Sequence, residues 1–167
     1  ITPKGTGDLI LTSGDVSLTS GNLLLPTTTS SVGQIQINAN TVFHTYGDAT
    51  SQNLFVGKDC GNYTLTTASA KNNVGMGRNV PDHLTIGTDN TAVGLLGLSA
   101  CTEGNRNAAF GSGALGTCTT GDRNSCNGFN GLALLTTGSN NTTVGSNCLF
   151  RLLTGSNNVC IGTDDSA

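Results

Sequence analysis

A unit of the form Asn-x-x-x-Gly recurs from residue 53 onward, and it constrains the fold more than any other feature of the chain. Gly57 and Gly77 are twenty positions apart, and each later glycine follows the one before it by seventeen positions. The repeated residues are Asn53, Asn73, Asn90, Asn107, Asn124, Asn141 and Asn158, with Gly57, Gly77, Gly94, Gly111, Gly128, Gly145 and Gly162. A fixed period of this length is typical of a solenoid, in which each repeat forms one coil of a stacked structure.

Other positions repeat in step with this unit. A leucine follows the glycine by four positions in most coils, and a second glycine follows it by ten. Each coil is therefore predicted to hold one short strand, a glycine turn, a small apolar segment and a second glycine turn. We expect the asparagines to form a ladder of amide hydrogen bonds along the stack. The predicted core consists of the residue before the glycine and the leucine after it: Val93, Phe110, Val144 and Ile161, with Leu98, Leu115, Leu132 and Leu149.

The composition supports an all-β fold. Charged residues make up 10% of the chain, against about 25% in typical soluble domains. Glycine reaches 24 residues, and Thr, Ser and Asn supply most of the polar side chains. These residue types are poor helix formers, so strands and turns are favoured over helices.

The N-terminal part has a different period. The segments at 7–13, 14–20 and 21–27 are GDLILTS, GDVSLTS and GNLLLPT, so the repeat has seven positions. Their apolar residues alternate as in a strand, and they lack the charged flanks of a coiled coil. We predict short strands joined by glycine turns, as in a β-prism shaft. The predicted domains are shaft repeats and a hinge at 1–31, connecting strands at 32–52, and solenoid (β-roll) coils at 53–167.

A chain of this kind is expected to associate with itself. Each predicted coil supplies few large side chains, whose burial is worth roughly 1.5–3 kcal/mol each, while ordering a backbone residue costs about 1–2 kcal/mol. Isolated strands as short as these are not stable alone. Association around a threefold axis would bury a second apolar face, so a homotrimer is the favoured assembly.

The two kinds of repeat, the segment VGQIQINANTVFHTYG and the coils of the form NTAVG…AL…TTG together resemble bacteriophage and related viral tail-fibre proteins. The coils are also similar to the head repeats of trimeric autotransporter adhesins, which form left-handed β-roll trimers. The resemblance implies a structural component of a homotrimeric fibre, located in a virion or on an extracellular surface. It also implies that the fibre presents or spaces a surface for a host receptor or glycan.

Several other functions are disfavoured by the sequence. A net charge of −3 with seven basic residues offers no basic stripe for nucleic acid. No apolar run reaches the length of ~18 residues that a membrane helix needs. His44 and His83 lie in different repeat types, so no catalytic group is predicted, and neither are a metal or a cofactor. The chain is predicted not to be an enzyme.

The cysteines are interpreted as small buried residues. Cys60 and Cys148 share one position of the coil, Cys126 and Cys160 another, and Cys101 and Cys118 a third. Free structural thiols are favoured, and a Cys101–Cys118 disulfide or a metal site remains an alternative.

Three other functions stay open at this point. A polysaccharide-degrading tailspike would need a pair of carboxylates in one groove. A bacterial trimeric adhesin head would share the same coils. An ice-binding solenoid is suggested by the threonine pairs at 119–120 and 136–137. The corner residues Arg106 and Arg123 are interpreted as a solvated row, with a receptor-binding strip as the alternative.

Overall fold

Nine short strands form one continuous sheet. The computed structural model describes residues 35–37, 40–45, 51–61 and 70–163, and no helix occurs among them. The strands are β1 (Ile35–Ile37), β2 (Asn40–His44), β3 (Leu54–Val56), β4 (Val74–Met76), β5 (Thr91–Val93), β6 (Ala108–Phe110), β7 (Ser125–Asn127), β8 (Thr142–Val144) and β9 (Val159–Ile161). The predicted shaft repeats at 1–31 lie outside the described residues.

The strands stack in the order of the sequence. β1, β2 and β3 pair in antiparallel fashion, whereas β3 to β9 are all parallel neighbours. Ala92 pairs with Ala109, and Ala109 pairs with Cys126, so each residue lies beside its equivalent one repeat later. The prediction of an all-β solenoid, with one coil per repeat of seventeen positions, is therefore confirmed for the described part of the chain.

Residues with positive φ turn the backbone at the corners of each coil. In the coil that contains β7, φ is 54° at Arg123, 148° at Gly128, 52° at Asn130 and 51° at Leu132. The value at Gly128 lies beyond the left-handed helical region and is open only to glycine, which explains the glycine at this position of the repeat. A non-glycine residue with positive φ costs about 1–3 kcal/mol, so packing in the stack must offset this strain in every coil.

Leucines fill the interior as predicted for three coils. Leu98, Leu115 and Leu132 are completely buried, and Leu149 packs on the same cluster while partly buried. These leucines have φ of 51° or 52°, an unusual conformation for a bulky residue. Their burial stabilises the coil by roughly 1.5–3 kcal/mol each, which is comparable to the strain that it offsets.

The other half of the predicted core faces the opposite way. The inward residue of each strand is its centre, as at Ala92 and Ala109, which are 0% exposed. Phe110, Val144 and Ile161 instead face away from the interior of their own coil and are 44%, 45% and 79% exposed, and Val93 is half-buried. The reason is the strand period of two: because the ladder asparagine points inward, the residue three positions later points outward.

A hairpin covers the first coil. β2 pairs with β3 through Phe43 opposite Val56 and His44 opposite Phe55. Phe55 is the one large residue at a strand centre among β3 to β9, and its ring occupies space that Gly61 and Gly75 leave open. The His44 ring packs on Phe55 with 5.2 Å between the ring centroids. β2 thereby covers the apolar interior beside Phe55, and β1 extends the sheet by pairing with β2.

Candidate functional site: the ladders and outward face of the solenoid

The repeated asparagines form a buried ladder along the solenoid. Asn90 donates its backbone N–H and its side-chain Nδ2 to Oδ1 of Asn73, both at 3.0 Å. Nδ2 also donates to the carbonyl oxygen of Gly104 at 2.8 Å. The same backbone-to-side-chain bond joins each asparagine from Asn73 to Asn158 to the one before it. The asparagines thus have a complete structural use, because they link neighbouring coils inside the interior.

The second glycine of the repeat belongs to this ladder. Its carbonyl oxygen accepts the asparagine amide, as Gly121 does from Asn107 at 2.7 Å. A Cβ atom at Gly104 would lie 2.6 Å from the carbonyl oxygen of Gly121 and 2.9 Å from Nδ2 of Asn107. This glycine is therefore required by the close approach of the next coil, and not by a positive φ.

A second ladder, which the pattern of repeated residues does not indicate, lies two residues before the asparagines. Its members differ in type: Thr88, Asn105, Asp122, Ser139 and Ser156. Here the backbone N–H donates to the side-chain oxygen of the following coil, as from Asn105 to Asp122 Oδ1 at 2.8 Å. The direction is opposite to that of the buried ladder. A repeat search by residue identity cannot find it, because only a side-chain oxygen acceptor is common to its members.

The corner row is exposed to solvent. Asp89 accepts a hydrogen bond from Asn72 Nδ2 at 3.0 Å, and its Oδ2 lies 4.0 Å from Nε of Arg106. Arg106 and Arg123 are both exposed. A surface ion pair of this kind contributes under ~1 kcal/mol. The row therefore adds little stability and leaves two guanidinium groups available to solvent.

The outward face of the sheet carries a line of apolar side chains. Met76 (48% exposed), Phe110 and Val144 occupy equivalent positions on β4, β6 and β8. Asn127 on β7 is the polar exception in this line. Exposed apolar residues that line up along one face, and are not scattered singly, indicate a surface that contacts another molecule. We call this line, Met76, Val93, Phe110, Val144 and Ile161, the apolar line.

The first threonine of each predicted pair, Thr119 or Thr136, uses its hydroxyl group in a hydrogen bond to the following coil. Thr119 Oγ1 donates to the carbonyl oxygen of Thr136 at 3.2 Å, and Thr136 Oγ1 donates to that of Leu153 at 2.9 Å. Thr85 and Thr102 make the same bond to the following coil. These four hydroxyl groups therefore join consecutive coils and stabilise the stack.

Two cysteines form a disulfide that the sequence analysis did not predict. Cys148 and Cys160 are bonded, with 5.9 Å between their Cα atoms, so the expectation of free thiols was wrong for this pair. The comparison of equivalent positions in neighbouring coils missed it because the pair joins different positions. Cys160 is the centre of β9, and Cys148 lies four positions after the end of β8. These positions face each other across the thin interior, as Gly131 and Thr143 do one coil earlier, where a Cβ atom at Gly131 would lie 3.0 Å from Oγ1 of Thr143.

The remaining four cysteines are buried free thiols, including Cys101 and Cys118. Burial raises the pKa of Cys60 to about 11, of Cys101 to about 12 and of Cys118 to about 11. Burial also raises the pKa of Cys126. Because the thiolate is the reactive form, these side chains act as small apolar residues.

The two histidines have different surroundings. His44 is buried, and its Nε2 donates to the carbonyl oxygen of Cys60 at 2.6 Å. Burial lowers the pKa of His44. His83 is exposed, and its Nδ1 lies 2.8 Å from the carbonyl oxygen of Ser99 and 3.1 Å from Oδ1 of Asp82. The Ser99 carbonyl, and then Asp82, raise the pKa of His83. The structure does not bring the two histidines into one site.

Within residues 35–37, 40–45, 51–61 and 70–163, no group of three His, Cys, Asp or Glu side chains is arranged to hold a metal ion. The same residues contain no helix long and apolar enough to cross a membrane. A comparison of the chain with models of known protein families, with well-characterised proteins and with solved structures finds no significant match.

Proposed function

We propose that this chain is a structural, non-enzymatic segment of a homotrimeric fibre of the viral tail-fibre type, located in a virion or on an extracellular surface. In this proposal it spaces or presents a surface that attaches to a host receptor or glycan, and its principal partner is a second and third copy of itself. The apolar line on the outward face of the sheet is the observation that carries the proposal.

The stacked coils supply the mechanical part of the argument. Consecutive coils are joined by backbone bonds around the circuit, such as Gly94 to Met76 at 2.9 Å and Thr102 to Thr119 at 3.0 Å. With the buried ladder, these bonds run along the axis of the stack. Each coil advances the rod by ~4.8 Å. A rod of this kind transmits force and sets a distance, which is what a fibre segment must do.

The apolar line supplies the argument for association. Its strands are three residues long, so the outward face is only ~10 Å wide. Phe110 and Val144 are 44% and 45% exposed on this face, an arrangement that costs solvation free energy in a lone chain. Packing three such narrow faces around one axis would bury the line on every copy. The trimer count itself rests on the resemblance to tail fibres and adhesin heads.

Charged substitutions on the apolar line test the proposal. Phe110→Asp and Val144→Asp should each reduce the solution mass from three chains to one, while the far-ultraviolet circular dichroism of the strands persists. Thr120→Asp is the matched control, since Thr120 is exposed on a turn away from the apolar line, and it should leave the mass unchanged. A mass that stays the same in both apolar-line variants would contradict the proposed interface.

A further inference from the structure

One strand in the middle of the stack interrupts the apolar character of the outward face. Side chains alternate along a strand, so the first and third residues of each short strand point outward while the central residue points inward. On β7 both outward residues, Ser125 and Asn127, are polar and exposed. The neighbours of Asn127 along the same line are Phe110 on β6 and Val144 on β8. β7 therefore places a polar pair between two strands that carry apolar side chains in this line.

The side chain of Asn127 is used differently from those of the buried ladder. The amide of Asn124 bonds to Asn107 at 3.1 Å and to the carbonyl oxygen of Gly138 at 2.8 Å. In contrast, the amide of Asn127 has no hydrogen-bond partner among the described residues. If association buries the outward face, this amide must find its partners on the other molecule, because a buried polar group without a partner is costly. A wholly apolar partner surface does not meet that need.

A second and a third copy of this chain supply the matching groups. An amide carries both a donor and an acceptor, so three Asn127 side chains around one axis can each donate to the next and accept from the one before. Consecutive coils are ~4.8 Å apart along the rod. Identical chains around a threefold axis therefore bring their Asn127 side chains together only when they are parallel and in register. This argument rests on the homotrimer of the proposed function.

We propose that Asn127 sets the register of the three chains in the assembly. A face that repeats with every coil fits equally well after a slip of one coil, because an apolar residue again meets an apolar residue. With Asn127 in the line, the same slip places its amide against Phe110 or Val144 of another copy and leaves it unpaired. The mismatch disfavours the slipped assembly by about tenfold or more. A single buried asparagine specifies the register of coiled coils by the same physical effect.

Cross-linking between full chains measures the register. Met76 and Val93 are equivalent residues of neighbouring coils. Chains with Met76→Cys and chains with Val93→Cys, which carry tags of different length, are co-expressed and then oxidised. In register, each introduced cysteine meets its own counterpart, whereas a cross-link between residue 76 and residue 93 forms only after a slip of one coil. The native cysteines are buried free thiols or disulfide-bonded, so the introduced cysteine is the accessible thiol.

The variant Asn127→Val, made in both tagged chains, removes the amide and keeps the strand, since valine occupies the same position on β5 and β8. The yield of the cross-link between residues 76 and 93 should rise about tenfold above that of the chains that retain Asn127. Thr120→Val is the matched control, because Thr120 is exposed on a turn away from the apolar line. It should leave the yield unchanged.

The mass of the assembly separates this inference from the proposed function. A three-chain mass with an unchanged cross-link yield in Asn127→Val would overturn the role of Asn127 and leave the trimer standing. The same conclusion follows if chains that retain Asn127 already cross-link residue 76 to residue 93 as readily as each residue to its own counterpart. A single-chain mass would overturn the proposed trimer and this inference together.

Discussion

Asn141 donates two hydrogen bonds to a single oxygen atom of Asn124: its backbone N–H at 3.1 Å and its side-chain Nδ2 at 3.0 Å both reach Oδ1. The second proton of the same amide reaches the carbonyl oxygen of Gly155 at 2.8 Å. The Oδ1 of Asn141 in turn accepts hydrogen bonds from the backbone N–H and the side-chain Nδ2 of Asn158. Every polar atom of this side chain is thus used inside the solenoid, which makes asparagine the only residue that suits the position.

Asn141→Asp should therefore destabilise the chain by about 2–4 kcal/mol, because a carboxylate cannot donate and would face two acceptor oxygens in a buried site. The neighbouring variant Asn140→Asp is the control, since Asn140 is exposed with a φ of 58° and an aspartate already occupies the same row at Asp89. It should change the free energy of unfolding by less than ~0.5 kcal/mol. Urea unfolding at one fixed chain concentration compares them, and equal losses in both variants would contradict a ladder that depends on the amide.

The strand-terminal glycine gives a second prediction. At Gly94, φ is 131° and an added Cβ would lie 2.6 Å from the carbonyl oxygen of Gly111. Gly94→Ala should cost more than about 3 kcal/mol, because both backbone strain and a collision with backbone oppose it.

Gly97→Ala is its control. A Cβ at Gly97 would meet its nearest atom, Cβ of Ala92, at 3.7 Å, and the equivalent residue one coil later is Ala114. This variant should stay within about 1 kcal/mol of the parent in thermal unfolding. If both glycine variants unfold at the same temperature, the claim that only glycine suits the corner at Gly94 is wrong.

Acid should weaken the contact between the hairpin and the first coil. Burial lowers the pKa of His44 from its ordinary value of 6.5, so the unfolded state binds more protons in acid. The stabilisation is therefore complete above pH 6.5 and is lost as the pH falls from 6.5 toward the folded pKa.

Unfolding free energies measured between pH 7.5 and pH 5 should show this loss in the parent and a flatter profile in His44→Gln, which keeps a donor but does not titrate. His83 and all other ionisable groups are present in both chains, so their contributions cancel in the comparison. Identical pH profiles in the two chains would show that protonation of His44 does not change the free energy of unfolding.

Thiol reactivity gives a fourth prediction. Cys60, Cys101, Cys118 and Cys126 are buried and free, with a raised pKa in each case. At pH 8 they should react with a soluble aromatic disulfide reagent only as fast as the chain unfolds, and all four should react at once in denaturant. Prior reduction of the Cys148–Cys160 disulfide should raise the number of thiols that react in denaturant by two. Rapid reaction of four thiols in the native chain would contradict their placement in the interior.

The sequence predicted the period, the strand positions and the leucine anchors because these features recur at fixed residue types. It placed the residue before the glycine, such as Phe110, in the core, but this residue points outward. Side chains alternate along a strand, so an inward asparagine puts the residue three positions later on the outer face, and the prediction did not use that direction. The ladder through Asp122 and Ser139 was missed because its members share only an acceptor oxygen. The Cys148–Cys160 bond was missed because it joins two unlike positions, which no comparison of equivalent positions brings together.

The mass of the chain in solution, measured by light scattering with and without reductant, tests the fibre proposal most directly. We predict a species of three chains that is stable on dilution. Reductant should leave its mass unchanged, because the disulfide lies within one chain. A species with the mass of a single chain across the same concentrations would contradict the trimer and leave the apolar line without the partner proposed for it.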